Sequence, residues 1–378
     1  MDKKGIFGSI IGEINARWLQ ALNGLLATVE DRGEVMDEKE LIYDWNVIDY
    51  EVARDPSNHP HELWFDDETL RDGLQSPSAS NPSIEQKLEL IDYMEKLGVQ
   101  KVDLGLPGAG PFHVGHIDAM LSHMGEMSYS LRPGCAVRTV VSDIEPLVDL
   151  QAKHERQIQA SAFLGTSPIR QYTEGWTMDR IMSTAESAVT FAVDNDIPVM
   201  FVTEDTTRSK PDEIKEVYSR AIELGADRIC VCDTCGHVTP NGVRKLLRFI
   251  QDEVIPDSGV KRREIEVNWH GHQDRGLGVA NNLAAYEAGA DVIHGTALGV
   301  GERAGNAPLD QTLVNLSLMG VIENDLTSLN EYMRKAPGSH ERISPDHYFE
   351  YLETSGRDTA PRSQERPRRN CLLYTSDA

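Results

Sequence analysis

From residue 62 onward the chain alternates short apolar runs with amphipathic helical segments, and this alternation restricts the possible fold more than any other feature. An open doubly wound sheet is the alternative, but the first strand is followed by no glycine-rich dinucleotide fingerprint. Eight β-α units in about 260 residues predict a (β/α)8 TIM barrel, an α/β fold. The predicted strands are Leu63–Asp67, Lys101–Leu106, Ala136–Val141, Ile158–Leu164, Pro198–Thr203, Arg228–Cys232, Glu266–His270 and Asp291–Gly295.

The barrel is predicted to span residues 61–325, between two segments of different character. Residues 1–60 are interpreted as an N-terminal helical extension, because apolar residues recur at helical spacing over about residues 8–30. Residues 326–378 are interpreted as a truncated, partial C-terminal accessory segment. After about Ser355 the sequence is basic and irregular, so we expect an aberrant or disordered tail there.

Charge and composition exclude several classes of function. The formal net charge is −24 and no basic stripe occurs in the body of the chain, which argues against nucleic acid as the main partner. No apolar run is long enough to span a bilayer, so no membrane partner is expected. Five cysteines are few and odd in number, which is typical of a reducing compartment and predicts a cytoplasmic protein.

Polar residues follow the first, seventh and eighth predicted strands, where a barrel of this type carries its chemistry. Arg71 and Asp72 follow the first strand, His270 and His272 the seventh, and Asn306 the eighth. Taken separately, these could be a salt-bridged rim and two unrelated histidines. Because the three strands are neighbours in a closed barrel, we expect a mixed oxygen and nitrogen ligand set for a divalent metal ion.

Two further patterns have competing interpretations. The pair Cys232 and Cys235 has the spacing of a zinc or redox site, but no second pair accompanies it. We therefore interpret Cys230 and Cys232 as small apolar residues that fill the barrel. The glycines of the loop after the eighth strand would let backbone N–H groups approach a ligand closely.

Three segments together resemble the metal-dependent barrel family of 2-isopropylmalate, homocitrate and citramalate synthases and hydroxymethylglutaryl-CoA lyase. They are Asp-Glu-Thr-Leu-Arg-Asp-Gly-Leu-Gln at 67–75, His-Gly-His-Gln-Asp-Arg-Gly-Leu-Gly-Val-Ala-Asn-Asn-Leu-Ala-Ala at 270–285, and Gly-Val-Gly-Glu-Arg-Ala-Gly-Asn at 299–306. The resemblance covers about residues 62–320, and 2-isopropylmalate synthase is the best match.

The resemblance implies a Claisen condensation of acetyl-CoA with a 2-oxo acid, followed by thioester hydrolysis. It also implies a homodimer and a divalent metal ion, which could be Mn, Mg or Zn. The implied metal ligands are Asp72, His270, His272 and Asn306; the implied catalytic residues are Arg71 and Glu204; and the implied substrate-binding residues are Gln75, Thr234, Gly299, Gly301 and Glu302. The general base is Glu204 or a group outside the barrel.

The acceptor expected from the resemblance is 3-methyl-2-oxobutanoate, which would place the chain in leucine biosynthesis. Ser161 and Gln273 depart from the common family residues near the acceptor pocket, so citramalate, homocitrate and Re-type citrate synthases stay open. The resemblance also separates synthase from lyase, because the lyases of the family carry a catalytic cysteine in the glycine-rich loop near the eighth strand. Residues 295–306 contain no cysteine, so a lyase is disfavoured. A protein that only holds a metal ion as a scaffold would have no need of Arg71 beside the ligand carboxylate. An aldolase that forms a Schiff base would need a lysine at the carboxyl end of a strand, and none of the predicted strands ends in lysine.

Overall fold

The computed structural model describes residue 45, residues 62–77 and residues 79–337. Eight parallel strands close into a barrel in chain order, and the eighth pairs with the first. The predicted (β/α)8 barrel is therefore confirmed. The strands are β1 (Trp64–Asp67), β2 (Lys101–Asp103), β3 (Arg132–Arg138), β4 (Gln159–Gly165), β5 (Val199–Glu204), β6 (Arg228–Asp233), β7 (Glu266–Gly271) and β8 (Val292–Gly295).

Helices follow the strands, and capping side chains mark several of their starts. The Ser83 side chain and Gln86 form a capping box at the first helix, which satisfies two otherwise unpaired backbone donors. The helices are α1 (Ile84–Lys96), α2 (Pro111–Glu126), α3 (Val141–His154), α4 (Pro168–Glu174), α5 (Met178–Asp194), α6 (Pro211–Glu223), α7 (Pro240–Phe249), α8 (Gly278–Glu287), α9 (Leu309–Leu318) and α10 (Leu329–Lys335). After α7 the chain continues through a π-helical turn, Ile250–Val254.

The predicted strand that differs most from the structure is the third. It begins at Arg132, four positions before the predicted start, because Pro133 and Gly134 both pair with neighbouring strands. Pro133 pairs with Val102 of β2 and Gly134 with Gln159 of β4. A proline near the first position of a strand costs little stability, because its missing backbone N–H removes few of the hydrogen bonds between strands there.

The apolar core lies between the barrel and its helices. Leu90, Ile91 and Met94 of α1 are fully buried at helical spacing, and each such side chain contributes about 1.5–3 kcal/mol. Inside the barrel the pattern differs, because Asp66, Lys101 and other charged side chains are buried there. This polar interior becomes important at the candidate site.

Helix α10 begins after the predicted end of the barrel at residue 325 and packs against α1. Tyr332 of α10 donates a hydrogen bond to the buried Asp67 carboxylate at the end of β1. The predicted helix near residues 8–30 and the accessory segment beyond residue 337 lie outside the described residues. None of the helices described is both long and apolar enough to cross a membrane.

Candidate metal centre and substrate cavity

Three of the four predicted metal ligands converge at the carboxyl ends of β1 and β7. Asp72 Oδ2 lies 3.3 Å from His270 Nε2 and 3.5 Å from His272 Nε2. The two Nε2 atoms are 3.2 Å apart, and all three side chains are buried. One carboxylate oxygen and two imidazole nitrogens this close together form a group able to bind a metal ion.

The electrostatics of this group place a positive charge among the three side chains: burial opposes a charge on His270, but hydrogen bonds to Asp72 and Glu68 raise its pKa well above the ordinary value. Burial opposes ionisation of Asp72, but the Arg71 charge and the two histidines hold the pKa of its carboxyl well below the ordinary value. Burial and the neighbouring His270 charge lower the pKa of His272 to about 4. His272 therefore keeps a free nitrogen lone pair at neutral pH, as a metal ligand requires.

The fourth predicted ligand, Asn306, lies beside His272. The two residues form an isolated antiparallel bridge, and Asn306 Nδ2 donates to the backbone oxygen of Val300 at 3.1 Å. Its Oδ1 is buried and has no hydrogen-bond partner. A buried amide oxygen without a partner costs free energy, so this atom fits a metal ion that would complete its coordination here.

Arg71 lies against three buried carboxylates. Its Nη2 donates to Glu68, its Nε lies 3.2 Å from Asp103 Oδ2, and its Nη1 lies 3.6 Å from Asp72 Oδ1. Burial opposes the charge, but these carboxylates raise the pKa of Arg71 well above the ordinary value. The guanidinium is thus a fixed positive charge beside the metal-binding group.

A cavity of about 250 Å³ opens in front of this group. Strands β7, β8 and β1 and the loops after them contribute the metal-binding side chains, Arg71 and other polar residues. Strands β2 to β6 contribute mostly apolar residues, apart from Glu204 and Thr234 near their ends. The polar lining includes Glu68, Arg71, Asp72, Gln75, Glu204, Thr234, His270, His272, His294 and Glu302; the rest is Leu106, Ala136, Ser161, Phe163, Met200, Val202, Cys230 and Cys232.

The predicted residue Glu204 lies at the end of β5, across the cavity from β1. Burial raises the pKa of its carboxyl; Arg170, whose Nη2 lies 3.5 Å from Glu204 Oε2, offsets part of that effect. Thr234 Oγ1 accepts a hydrogen bond from the backbone N–H of Asp205 at 2.8 Å. Gln75 and Glu302 also line the cavity, so the structure brings all four together around one space.

Two predicted substrate-binding glycines are placed differently. Gly299 and Gly301 are absent from the residues lining the cavity and instead pack against Asn306. A Cβ on Gly299, where φ is +65°, would lie 2.7 Å from the Asn306 backbone oxygen, and one on Gly301 would overlap Asn306 Nδ2. Gly299 therefore leaves space for the backbone of Asn306, and Gly301 leaves space for its side-chain amide.

The two departures from the family pattern have different surroundings. Ser161 lines the cavity as expected and accepts a hydrogen bond from Gln159 at 3.2 Å. The expectation was wrong for Gln273, which does not line the cavity. Its side-chain oxygen accepts from the Gly278 N–H at 2.6 Å, because the chain has already turned from β7 toward the start of α8.

Sequence reasoning missed two buried residues that lie behind the metal-binding group. Glu68 Oε1 is 3.6 Å from His270 Nδ1 and 3.0 Å from His294 Nδ1. Both residues are almost fully buried. The signal that could have found them is the two-residue period of β1 and β8, which directs Asp66, Glu68 and His294 into the barrel.

The cysteines behave as interpreted. Cys230 and Cys232 are buried, are free thiols, and form a small cluster with Met200 at the cavity wall. Burial raises the pKa of the Cys230 thiol well above its ordinary value. Cys235 lies apart, 3.0 Å from an Arg208 nitrogen, so Cys232 and Cys235 do not form a pair.

Known proteins resemble this chain over the barrel. A model of the family described as HMGL-like matches residues 63–334. A probable 2-isopropylmalate synthase from Methanopyrus kandleri is 35% identical over 268 residues, which are 71% of this chain and 50% of that protein. A homocitrate synthase from the same organism is 34% identical over 259 residues, 68% of this chain and 60% of that protein. The chain spans about half the length of the curated relatives that it matches.

Solved structures share the fold at lower identity. The chain superposes on an HMG-CoA lyase from Acinetobacter baumannii, solved in complex with coenzyme A and 3-methylmalate, with a TM-score of 0.60 and 18% identity, over 81% of this chain and 99% of that one. An HMG-CoA lyase from Pseudomonas aeruginosa gives 0.60 and 15%, over 78% and 98%. At these identities the likeness shows the barrel fold alone.

Proposed function

The chain belongs to the HMGL-like family, and from that premise we propose that it carries the catalytic barrel of an acetyl-CoA-dependent synthase. The methyl carbon of acetyl-CoA loses a proton and forms a bond to the ketone carbon of a 2-oxo acid. The ketone oxygen becomes a hydroxyl group. Water then cleaves the thioester C–S bond, giving a carboxylate and free coenzyme A.

One observation carries this proposal: Arg71 and the group of Asp72, His270 and His272 lie on the wall of the cavity formed by β7, β8 and β1, while the wall formed by β2 to β6 is mostly apolar apart from Glu204 and Thr234. The adjacent carboxylate and ketone oxygens of a 2-oxo acid suit the first wall, and a hydrocarbon side chain suits the second. Asp72, His270, His272 and Asn306 would hold Mn, Mg or Zn, which when bound would supply Lewis-acid polarisation of the ketone.

Arg71 and Glu204 then have separate tasks. Arg71 keeps its charge at every working pH and is held in place by Glu68 and Asp103, so it stabilises negative charge that develops on oxygen. Glu204 faces the same cavity, and burial raises the pKa of its carboxyl, which makes it a stronger base than an exposed glutamate and a candidate for the general base. Gln75 and Thr234 would contact the substrate from the rim.

The lining favours an acceptor with one carboxylate and an apolar side chain. Among the described lining residues, Arg71 is the one arginine or lysine, while Glu204 and Glu302 face the same space. A second carboxylate, as in 2-oxoglutarate or oxaloacetate, would lie near these two acids, and the Arg170 guanidinium beside them is already paired with Glu204, so burying that second charge is costly. We therefore propose 3-methyl-2-oxobutanoate, with 2-isopropylmalate as the product, ahead of the homocitrate and citrate reactions.

Synthesis is also favoured over cleavage, since residues 295–306 carry no cysteine.

By its resemblance to the synthases, the chain is expected to act as a homodimer. Its four described cysteines are free thiols, which supports a reducing cytoplasm.

The test is thiol release from acetyl-CoA with Mn²⁺ or Mg²⁺ and one of four acids: 3-methyl-2-oxobutanoate, pyruvate, 2-oxoglutarate or oxaloacetate. We expect release with the first acid, loss of release in Asp72→Ala, and unchanged release in Asp149→Ala, an exposed aspartate of α3. Release only with a dicarboxylic acid would overturn the acceptor proposal. No release with any acid, from protein carrying one equivalent of metal, would overturn the proposed reaction for this chain.

A further inference from the structure

We propose that Glu68 and His294 are positioning residues that orient His270 and Arg71 from the barrel interior. The proposal rests on the metal centre of the proposed function and deepens it. Neither residue is assigned a role by the resemblance or by the metal-binding group itself. Glu68 lies at the end of β1 and His294 lies on β8, next to each other in the closed barrel.

Glu68 contacts Arg71 with one carboxylate oxygen and the histidines of the site with the other. Oε2 accepts from Arg71 Nη2, while Oε1 lies 3.0 Å from His294 Nδ1 and 3.6 Å from His270 Nδ1. His270 directs its other nitrogen, Nε2, at Asp72 and His272. A histidine that binds metal through Nε2 carries its proton on Nδ1, and a carboxylate commonly accepts that proton and fixes the ring.

His294 holds Glu68 in place through a chain of hydrogen bonds that runs down the barrel interior. Asn268 Nδ2 donates to Glu266 Oε1 at 3.0 Å, so Asn268 Oδ1 accepts from His294 Nε2 at 3.1 Å. His294 Nδ1 faces Glu68 Oε1 at 3.0 Å, and donation from both ring nitrogens requires a proton on each, that is, the charged imidazolium form of His294. This series of hydrogen bonds ends at Glu266, which accepts a hydrogen bond from the side-chain ammonium of Lys101. Lys101 is buried near the opposite mouth of the barrel.

Glu68 is better suited to positioning than to metal binding. Its Oε2 already accepts from the Arg71 guanidinium and its Oε1 already faces His294 and His270, so neither oxygen is left open to a metal ion. The geometry instead gives one carboxylate that sets the direction of a ligand nitrogen and of the charge beside it. Loss of that carboxylate should loosen His270 and Arg71 together.

The experiment measures metal binding separately from turnover. Mn²⁺ affinity is determined from the electron paramagnetic resonance signal of free Mn²⁺, and the Co²⁺ form is examined by its visible absorption bands. We expect Glu68→Gln and His294→Leu to weaken Mn²⁺ binding by about 10- to 100-fold and to shift the Co²⁺ bands. His294→Gln, which can still donate to Glu68, should recover part of the affinity.

The matched control is Asp143→Asn. Asp143 is a buried carboxyl of α3 that accepts from Arg138, and it is not among the residues that line the cavity. Mn²⁺ affinity in this variant should stay within about twofold of the original. A purely structural role would lower the unfolding temperature of the Glu68 and His294 variants but leave affinity and Co²⁺ bands unchanged, and that result overturns the positioning proposal.

The outcomes also separate this inference from the proposed reaction. If the unmutated protein binds no Mn²⁺, Co²⁺ or Zn²⁺, the metal centre and the positioning role both fail. If it binds metal and the variants bind more weakly, but no 2-oxo acid releases thiol, the positioning role stands and the proposed reaction fails.

Discussion

Replacing Asp67 by asparagine should stabilise the protein in a pH-dependent way. Asp67 is fully buried at the end of β1, where Oδ1 accepts from the Thr69 N–H at 2.8 Å and Oδ2 accepts from Tyr332. Burial raises the pKa of this carboxyl from 3.8 to about 6, although the hydrogen bonds from Thr69 and Tyr332 lower it in part. Asparagine keeps the shape and an acceptor, but carries no charge.

The sign and size follow from the shift in pKa. The folded protein binds the proton more tightly than the unfolded chain, so the Asp67 contribution to stability falls as pH rises from about 4 to about 6. Above that range the ionised carboxylate costs about 3 kcal/mol, at 1.36 kcal/mol for each pKa unit. Between pH 5 and pH 8 the cost grows by about 1.4 kcal/mol.

The measurement is the free energy of unfolding in urea, for both proteins, at pH 5, 6, 7 and 8. Other ionisable groups are common to both proteins, so their contributions cancel in the difference. We expect the advantage of Asp67→Asn to increase by about 1.4 kcal/mol from pH 5 to pH 8. A difference that stays constant across this range would refute the reasoning, because it would mean that Asp67 does not titrate differently in the folded state.

Three further changes test the site and the barrel. Gly301→Ala should displace the Asn306 amide and weaken Mn²⁺ binding by about 10-fold or more, measured by titration calorimetry. Glu204→Gln should lower kcat by about 10²- to 10⁴-fold in the thiol-release assay, with Mn²⁺ affinity unchanged. Lys101→Met should leave the Glu266 charge without its closest cation and cost about 3–5 kcal/mol of unfolding free energy in urea.

Controls sharpen two of these tests. Gly115→Ala in α2 meets no atom within 4 Å and should leave Mn²⁺ affinity unaltered; a loss equal to that of Gly301→Ala would argue against displacement of Asn306. A Glu204→Gln variant that keeps full kcat would remove Glu204 from the proposed mechanism and direct attention to a base outside the described residues.

The fold and the convergence of the site could be predicted because both depend on periodic features of the sequence. Eight apolar runs separated by amphipathic stripes predict the barrel, and barrel closure alone brings residues after β1 close to residues after β7. For that reason Asp72 and His270 could be placed together although about 200 residues separate them. No side-chain detail was needed for this step.

The rest depends on side-chain direction, which spacing does not fix. Gln273 was expected near the acceptor, but its side chain bonds to the start of α8. Gly299 and Gly301 were expected to approach substrate, but they pack against Asn306. Glu68 was overlooked because an acid at a strand end is ordinarily a solvated rim residue, although the two-residue period of β1 directs its side chain into the barrel, where it is buried.

The hydrogen bond between Tyr332 and Asp67 has a consequence for how the chain folds during its synthesis. The two residues are 265 positions apart. At 5–20 residues per second, a ribosome needs about 10–50 s to add that length. Until their late partners are synthesised, Asp67 lacks Tyr332 and Glu68 lacks His294, and burying these two acids early would be costly. We therefore expect the first strand to stay hydrated during synthesis. The barrel should close around it only after α10 has been synthesised.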